Sequence, residues 1–209
     1  YEGGIYNRRE RDFYGFQKVT TRQLDTDNND DVYRIVIQTY NNNSYYEKGL
    51  LLSEVMTNAT GNKYSEKINV YELRDAFSSA PFSPTNETGR AFPAVTQTQT
   101  LYYEGLPTAG LQNTIEYVYD ALGNITYFTD RGDGTSADII TATIMYHDND
   151  ALYLKSTPKS IAVHDHQGRI RYREQDIDAE GDIIQIRQFL ETGDTAAYEM
   201  AYDVYGNLT

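Results

Sequence analysis

Tyr119-Asp120-Ala121-Leu122-Gly123-Asn124-Ile125-Thr126 returns at the end of the chain as Tyr202-Asp203-Val204-Tyr205-Gly206-Asn207-Leu208-Thr209. Both stretches read as a strand end, a tight turn and the start of the returning strand. The Asp carboxylate can accept hydrogen bonds from backbone N–H groups two residues on, as in an Asx-turn. The Gly enters positive φ without the steric penalty that a Cβ brings. Tyr before the Asp, and Ile or Leu after the Asn, suit a pleated, half-buried surface. A stretch that recurs intact is first of all a building unit.

Looser copies widen the pattern. Asp-x-x-Gly-x-(Ile/Leu) occurs at Asp120/Gly123/Ile125, Asp165/Gly168/Ile170, Asp178/Gly181/Ile183 and Asp203/Gly206/Leu208. The starts lie 45, 13 and 25 residues apart, which argues against a strict solenoid or propeller blade. Unequal spacing fits a strip of antiparallel hairpins with arms of variable length. Such a strip cannot bury its faces alone; it must curl or stack on neighbours.

The rest of the chain reads the same way. Residues 11–24 are rich in aromatic and β-branched types and predict a strand with a kink or bulge at Gly15. Residues 32–40 predict a strand with Tyr33, Ile35 and Ile37 on one face and Arg34 and Gln38 on the other. Residues 47–57 and 63–73 form a hairpin about Asn58-Ala59-Thr60-Gly61-Asn62, a weak echo of the opening stretch. Residues 75–93 break the pattern with Pro81, Pro84 and Pro93 among Ser, Thr, Asn and Gly. They predict a loop or linker between N-terminal hairpins (1–74) and a second hairpin series (94–209). Residues 149–155 are expected to hold a single helical turn, and almost nothing else has helical period.

Composition limits the function. The 209 residues allow one large domain or two small ones. Only 39% are hydrophobic, yet there are 20 Tyr with 7 Phe and no Trp. Tyr packs its ring and keeps its hydroxyl near water or a partner, which suits a thin, two-faced sheet. A net charge of −13 disfavours nucleic-acid and anionic-membrane partners, which need a positive footprint. The absence of Cys removes disulfides and thiolate metal sites. There is no apolar run of membrane-spanning length and no signal peptide. A chain opening at Tyr1 and stopping as a hairpin turns is expected to be a fragment of a longer polypeptide.

These motifs resemble the RHS/YD-repeat family. The resemblance rests on Tyr119-Asp120-x-x-Gly123-Asn124 and Tyr202-Asp203-x-x-Gly206-Asn207, with the looser copies at Asp165/Gly168 and Asp178/Gly181. Arg9-Glu10-Arg11-Asp12-Phe13-Tyr14-Gly15-Phe16-Gln17-Lys18-Val19 is similar to the Arg-Asp-Phe-x-Gly-Phe segment of the B component of bacterial insecticidal toxin complexes and of SpvB-like proteins. Tyr146-His147-Asp148-Asn149-Asp150-Ala151-Leu152-Tyr153-Leu154-Lys155-Ser156-Thr157-Pro158 resembles a strand-to-hairpin link of the same proteins. The resemblance implies an all-β fold: one long, curved antiparallel sheet of successive hairpins, part of a hollow shell around a C-terminal toxic polypeptide. The family's self-cleaving motif contains Asp-Pro. No Asp-Pro occurs here, so protease and toxin are expected to lie elsewhere.

Several side-chain groups compete with this structural reading. Asp25, Asp27, Asn29 and Asp31 place oxygen ligands at alternate positions, a weak Ca²⁺ candidate. An EF-hand loop would need Gly and Glu where Asp30 and Val36 stand, so a solvated hairpin loop is the simpler account. Arg131-Gly132-Asp133 spells an integrin-type tripeptide but reads as turn chemistry. Gly132-x-Gly134 lacks a following helix, and Ser156-x-x-Lys159 is broken by Pro158. His164 and His166 share a strand face without a third ligand. Asn42, Asn58, Asn86, Asn124 and Asn207 stand in sequons that mean nothing in a bacterial protein.

The expected function is a non-enzymatic wall segment of a secreted or cell-surface RHS/YD-repeat protein. Its partners would be the rest of that polypeptide and its enclosed cargo, with no cofactor. Tyr119, Asp120, Gly123, Asn124, Asp165, Gly168, Asp178, Gly181, Tyr202, Asp203, Gly206 and Asn207 would carry the architecture rather than chemistry. The alternative is a surface adhesion or carbohydrate-binding module using Tyr-rich faces.

Overall fold

In the computed structural model, which describes residues 1–85, 88–190 and 192–209, the chain is a single antiparallel sheet in which sequence order is spatial order. The strands are β1 (Glu2–Asn7), β2 (Asp12–Asp25), β3 (Asp31–Asn41), β4 (Leu50–Asn58), β5 (Lys63–Asp75), β6 (Ala91–Tyr102), β7 (Leu111–Tyr119), β8 (Ile125–Asp130), β9 (Ile140–Tyr146), β10 (Pro158–Asp165), β11 (Gly168–Ile177), β12 (Ile183–Phe189) and β13 (Thr195–Glu199). Among the described residues the one helical element is a 3-10 turn at Ser136–Asp138. The all-β reading holds.

Two compact units divide the chain. One comprises Tyr1–Glu116 with Gly132–Gly134, the other Tyr117–Arg131 with Thr135–Thr209. In the first unit, Ile37 stands opposite Thr20 and Val55, and Gln38 opposite Val19 and Glu54. Gln38 donates to Glu54 across the strands at 2.7 Å. Ile37 thus meets Val55 on one face and Gln38 meets Glu54 on the other, as the period of two along β3 requires. Most ladders carry a register shift, which lets hairpin arms of unequal length stay paired and adds local twist.

The sheet buries little. Among the described hydrophobic residues only Tyr14 (6%) and Ala94 (0%) are withdrawn from solvent. The chain exposes 13613 Å² for 23.9 kDa. A compact monomer of that mass would expose about 9,900 Å², and two separate compact domains of half the mass about 12,000 Å². Backbone pairing, rather than a central core, connects each strand to the next.

Several expectations differ from the structure. Residues 149–155 form no helical turn: Asn149 and Leu154 exchange backbone hydrogen bonds of 3.1 and 2.9 Å around a tight loop. Tyr153 closes that loop at φ 53°, which an α-helix does not accommodate. The fourth strand starts at Leu50 rather than Glu47, because Leu50 N–H is turned onto Glu47 O at 3.1 Å. The first strand, β1, was hidden by Gly3-Gly4. Within 75–93, β5 and β6 pair out to Asp75 and Ala91, with Leu73 opposite Pro93. Residues 76–90 join these two partners at the end of their hairpin, and the compact units divide at Glu116/Tyr117 instead.

Candidate functional site

The recurring corners share one geometry. At Asp120, the carboxylate Oδ1 accepts from Leu122 N–H at 2.8 Å and Asn124 N–H at 2.9 Å. Asp120 N–H donates to Asn124 O at 2.9 Å, and Gly123 N–H to Asp120 O at 3.3 Å. Gly123 stands at φ 87°, closing a three-residue hairpin loop in which only Gly sits without strain. Asp178 repeats this with Glu180 and Asp182 at 3.0 and 2.9 Å, and Asp203 with Tyr205 and Asn207 at 2.8 and 2.9 Å. Asn207, then its backbone and that of Tyr205, hold the Asp203 carboxyl below the usual carboxylate range. Tyr119 and Tyr202 precede two of these corners, and Tyr202 donates to Ile183 O at 2.9 Å.

Two more corners use the same scheme. Asn58 Oδ1 accepts from Thr60 and Asn62 N–H at 3.0 and 2.9 Å, in the stretch that looked like an echo. Leu190 N–H donates to Asp194 O at 2.9 Å, with Gly193 at φ 88°. That corner has no side-chain acceptor at its first position, so the Asp-x-x-Gly pattern missed it. Its signal was the Gly followed by Asp between strand-like flanks. The Asp165 copy matches the pattern but folds differently: Asp165 pairs directly with Gly168, leaving a two-residue turn. Its Oδ1 accepts from Gln167 and Gly168 N–H at 2.7 and 3.1 Å.

In the second unit, the loop after β9 acts as a strap over two corners. Asn124 Nδ2 donates to Lys155 O at 2.9 Å, and Tyr146 OH to Ile125 O at 2.8 Å. Leu154 covers Gly181 so closely that a Cβ there would lie 2.6 Å from Leu154 Cδ1. Lys155 pairs with Asp148 and with Asp150 at 2.6 Å, which raises its own pKa. Lys155 in turn lowers that of Asp150. On the neighbouring strands Arg187 holds Glu174 at 2.7 Å and Asp176 at 2.6 Å, keeping both acids below their ordinary values.

The first unit holds an open concavity whose lining includes Glu10, Tyr14, Tyr45, Tyr46, Thr85 and Gly89. Its floor is Tyr14. Burial first, and then its hydrogen bond to Glu10, push that phenol up to about 12.

Other candidates do not converge. Asp25 and Asp31 close the β2–β3 ladder, and Asp27, Asn29 and Asp31 are exposed around a turn held by Asn28 N–H on Asp25 O at 3.1 Å. Among the described residues no three of His, Cys, Asp and Glu come together as a metal-ligating group. Lys159 lies in β10, so no helix presents it to Ser156. A 3-10 turn and β9 follow Gly134, not a dinucleotide-binding helix. Asn86 lies outside the described residues. No described helix is long and apolar enough to cross a membrane.

No family model and no curated protein matches the chain. Solved structures do. The crystal structure of TcdB2-TccC3-Cdc42 aligns over 92% of this chain with TM-score 0.67 at 10% identity. The chain shares its fold. TcdB2-TccC3 aligns over 92% with TM-score 0.65, and TcdB2-TccC3 without its hypervariable C-terminal region over 90% with TM-score 0.65, both at 10% identity. The chain spans about 15% of the length of each of these chains.

Proposed function

We propose that this chain is a non-enzymatic wall segment of a larger secreted or cell-surface polypeptide of the RHS/YD-repeat kind, and that the wall encloses a C-terminal effector. The observation that carries this reading is a sheet whose strands pair with their sequence neighbours while burying almost no hydrophobic side chain among the described residues. A sheet built this way gains by extending into more hairpins of the same kind. The Asp and Asn corners make that extension regular, because each satisfies its own backbone donors. The fold likeness to TcdB2-TccC3 chains supports the reading, and one of those structures is described by the removal of a hypervariable C-terminal region. Partners are then the flanking hairpins and the enclosed polypeptide; no cofactor and no nucleic acid is needed.

The test is protease protection in the full reading frame that contains this chain. The segment C-terminal to the hairpins should resist digestion in the native protein and become sensitive once the sheet is opened by mild denaturant. Digestion at the rate of the isolated segment, with the sheet intact, would remove the enclosing role.

A further inference from the structure

The wall reading leaves the outer end of the strap with nothing to do. The loop from Asn149 to Leu154 is closed by two backbone hydrogen bonds, and Leu152 N–H adds a third to Asn149 Oδ1 at 3.1 Å. Within this closed loop Tyr153 is held at φ 53°, a left-handed conformation that a bulky residue keeps only where its surroundings impose it. The strain does not place the ring in a core: Tyr153 is 81% exposed.

Two more apolar side chains stand bare nearby. Leu122, at the tip of the Asp120 corner, is 60% exposed, and Met145, near the end of β9, is 58% exposed. The corner cannot withdraw Leu122, because its N–H is fixed on Asp120 Oδ1 and Asn124 ties the same corner to Lys155 O. Leu122 lines two open grooves and so stands as a ridge between them. One, of about 430 Å³, is lined further by Ile144, Met145 and Asp148; the other, of about 250 Å³, by Tyr153 and Leu154. All of these residues belong to the second unit. A small molecule needs enclosure, which an open groove does not supply. A ridge with a groove on each side fits a row of side chains on a polypeptide instead, and clustered bare apolar groups mark protein contacts.

Charge narrows the partner. Lys155 pairs with both Asp148 and Asp150, yet the three are not equally presented: the Lys155 side chain is 18% exposed, those of Asp148 and Asp150 84% and 95%. The cation lies beneath its two anions, so an approaching molecule meets carboxylates first. Asp120 adds a further acid to the groove, and the chain carries a net charge of −13. An acidic partner is repelled, and so is a second copy, which would set these carboxylates against their own counterparts. Leu122 and Tyr153 also sit in connections at the hairpin ends, whereas an enclosed cargo would lie against the face of the sheet. We infer that the strap loop and the Asp120 corner dock a basic segment of a separate protein, with apolar side chains over Leu122, Met145 and Tyr153 and Lys or Arg side chains on Asp148 and Asp150.

The inference goes beyond the wall reading and does not rest on it. The probe is a fluorescein-labelled heptapeptide, Lys-Leu-Lys-Leu-Lys-Leu-Lys, titrated into the 209-residue chain and read by fluorescence anisotropy. It should bind at submillimolar concentration, and its Glu-Leu and Lys-Ser counterparts about tenfold more weakly or worse. Leu122→Ser and Tyr153→Asn should each weaken binding about tenfold or more, as expected for anchor residues. Asn tolerates the left-handed backbone, so Tyr153→Asn removes the ring and keeps the loop. Asp148→Asn with Asp150→Asn should weaken binding and flatten its salt dependence. Tyr205→Ala, at the matching position of the Asp203 corner, should leave it unchanged. Circular dichroism of each variant separates lost binding from lost fold. Failure of the Lys-Leu peptide to bind overturns the inference. So does equal binding of either counterpart, or binding indifferent to both Leu122→Ser and Tyr153→Asn. A dimer that Tyr153→Asn dissolves would assign the surface to a second copy. Loss of probe binding in the full reading frame that contains this chain would assign it to the parent polypeptide. Either result overturns the separate partner.

Discussion

Gly181→Ala should cost the second unit much more than Gly193→Ala, although both glycines belong to corners closed by the same pair of backbone hydrogen bonds. The glycines stand at φ 95° and 88°. Each Ala therefore meets the left-handed penalty of roughly 1–2 kcal/mol. A Cβ at Gly193 would have nothing within 4 Å, so the penalty is all it incurs. A Cβ at Gly181 would lie 2.6 Å from Leu154 Cδ1 and 3.5 Å from Leu154 Cδ2 and Cγ. Leu154 must then retreat by roughly 1 Å to restore ordinary van der Waals separation. Its backbone is pinned at both ends of the strap by Asn149, and the next carbonyl by Asn124. Overpacking of this kind typically adds about 1–3 kcal/mol.

The expected losses are therefore about 1–2 kcal/mol for Gly193→Ala and about 2–5 kcal/mol for Gly181→Ala. For a chain of this size each kcal/mol lowers the melting temperature by roughly 2–4 °C. Tyrosine near-ultraviolet circular dichroism during urea and thermal unfolding provides the readout, because there is no Trp. Leu154→Ala combined with Gly181→Ala should recover much of the difference, a coupling of about 1 kcal/mol or more. Equal losses for the two glycines, or additive effects with Leu154→Ala, would refute the strap as a clamp on the Asp178 corner.

The remaining predictions use the same chemistry. Asp120→Ala removes the acceptor of Leu122 and Asn124 N–H and should cost about 1–2 kcal/mol in urea unfolding, while Asp120→Asn keeps most of it; equal losses would contradict the Asx role. Glu174 and Asp176 are held below their ordinary values of 4.5 and 3.8 by Arg187, so their stabilisation is present above those values and fades as pH falls through their lower native ones. Arg187→Met should flatten this acid limb of the stability curve, and an unchanged limb would exclude the cluster as its source. Tyr14 shows the opposite sign: its native pKa of about 12 exceeds the ordinary phenol value of 10.0, so its contribution is complete below pH 10.0 and lost as pH climbs towards 12. Tyr14→Phe should remove that part of the alkaline loss, measured by unfolding at pH 9 to 12 alongside phenolate absorbance.

What was legible in the sequence is what the backbone demands locally. A corner that needs positive φ at one residue and an acceptor three residues before it writes Asp-x-x-Gly into the chain, and the Asp120, Asp178 and Asp203 corners follow that spelling. The Leu190 corner keeps the Gly and drops the acceptor, so only half of the signal remained. The Asp165 copy keeps the spelling but joins arms with different register, so Gly168 pairs inside the strand instead of closing a loop. What was not legible depends on distant partners. β1 is a strand because β2 pairs with it, against the preference of Gly3 and Gly4. Leu154 and Gly181 meet across 27 positions, and Asn42 reaches Phe16 across 26. The prolines of 75–93 suggested a break, yet Pro93 lies opposite Leu73 within the β5–β6 ladder, and the chain turns back onto its own strand.

The Tyr excess follows from the same architecture. A sheet with almost no sealed interior cannot rely on Leu and Ile, which gain only when water is excluded from all sides. Tyr gains from a half-covered ring while its hydroxyl finds a carbonyl or carboxylate at the rim. Tyr146 on Ile125 O and Tyr71 on Leu51 O each bridge two neighbouring strands, and Tyr202 on Ile183 O ties the segment after β13 to the start of β12. These bonds stitch the sheet laterally at its ends, where pairing alone would fray. Stability in such a structure is a sum of neighbouring contacts, so damage to one corner should stay local.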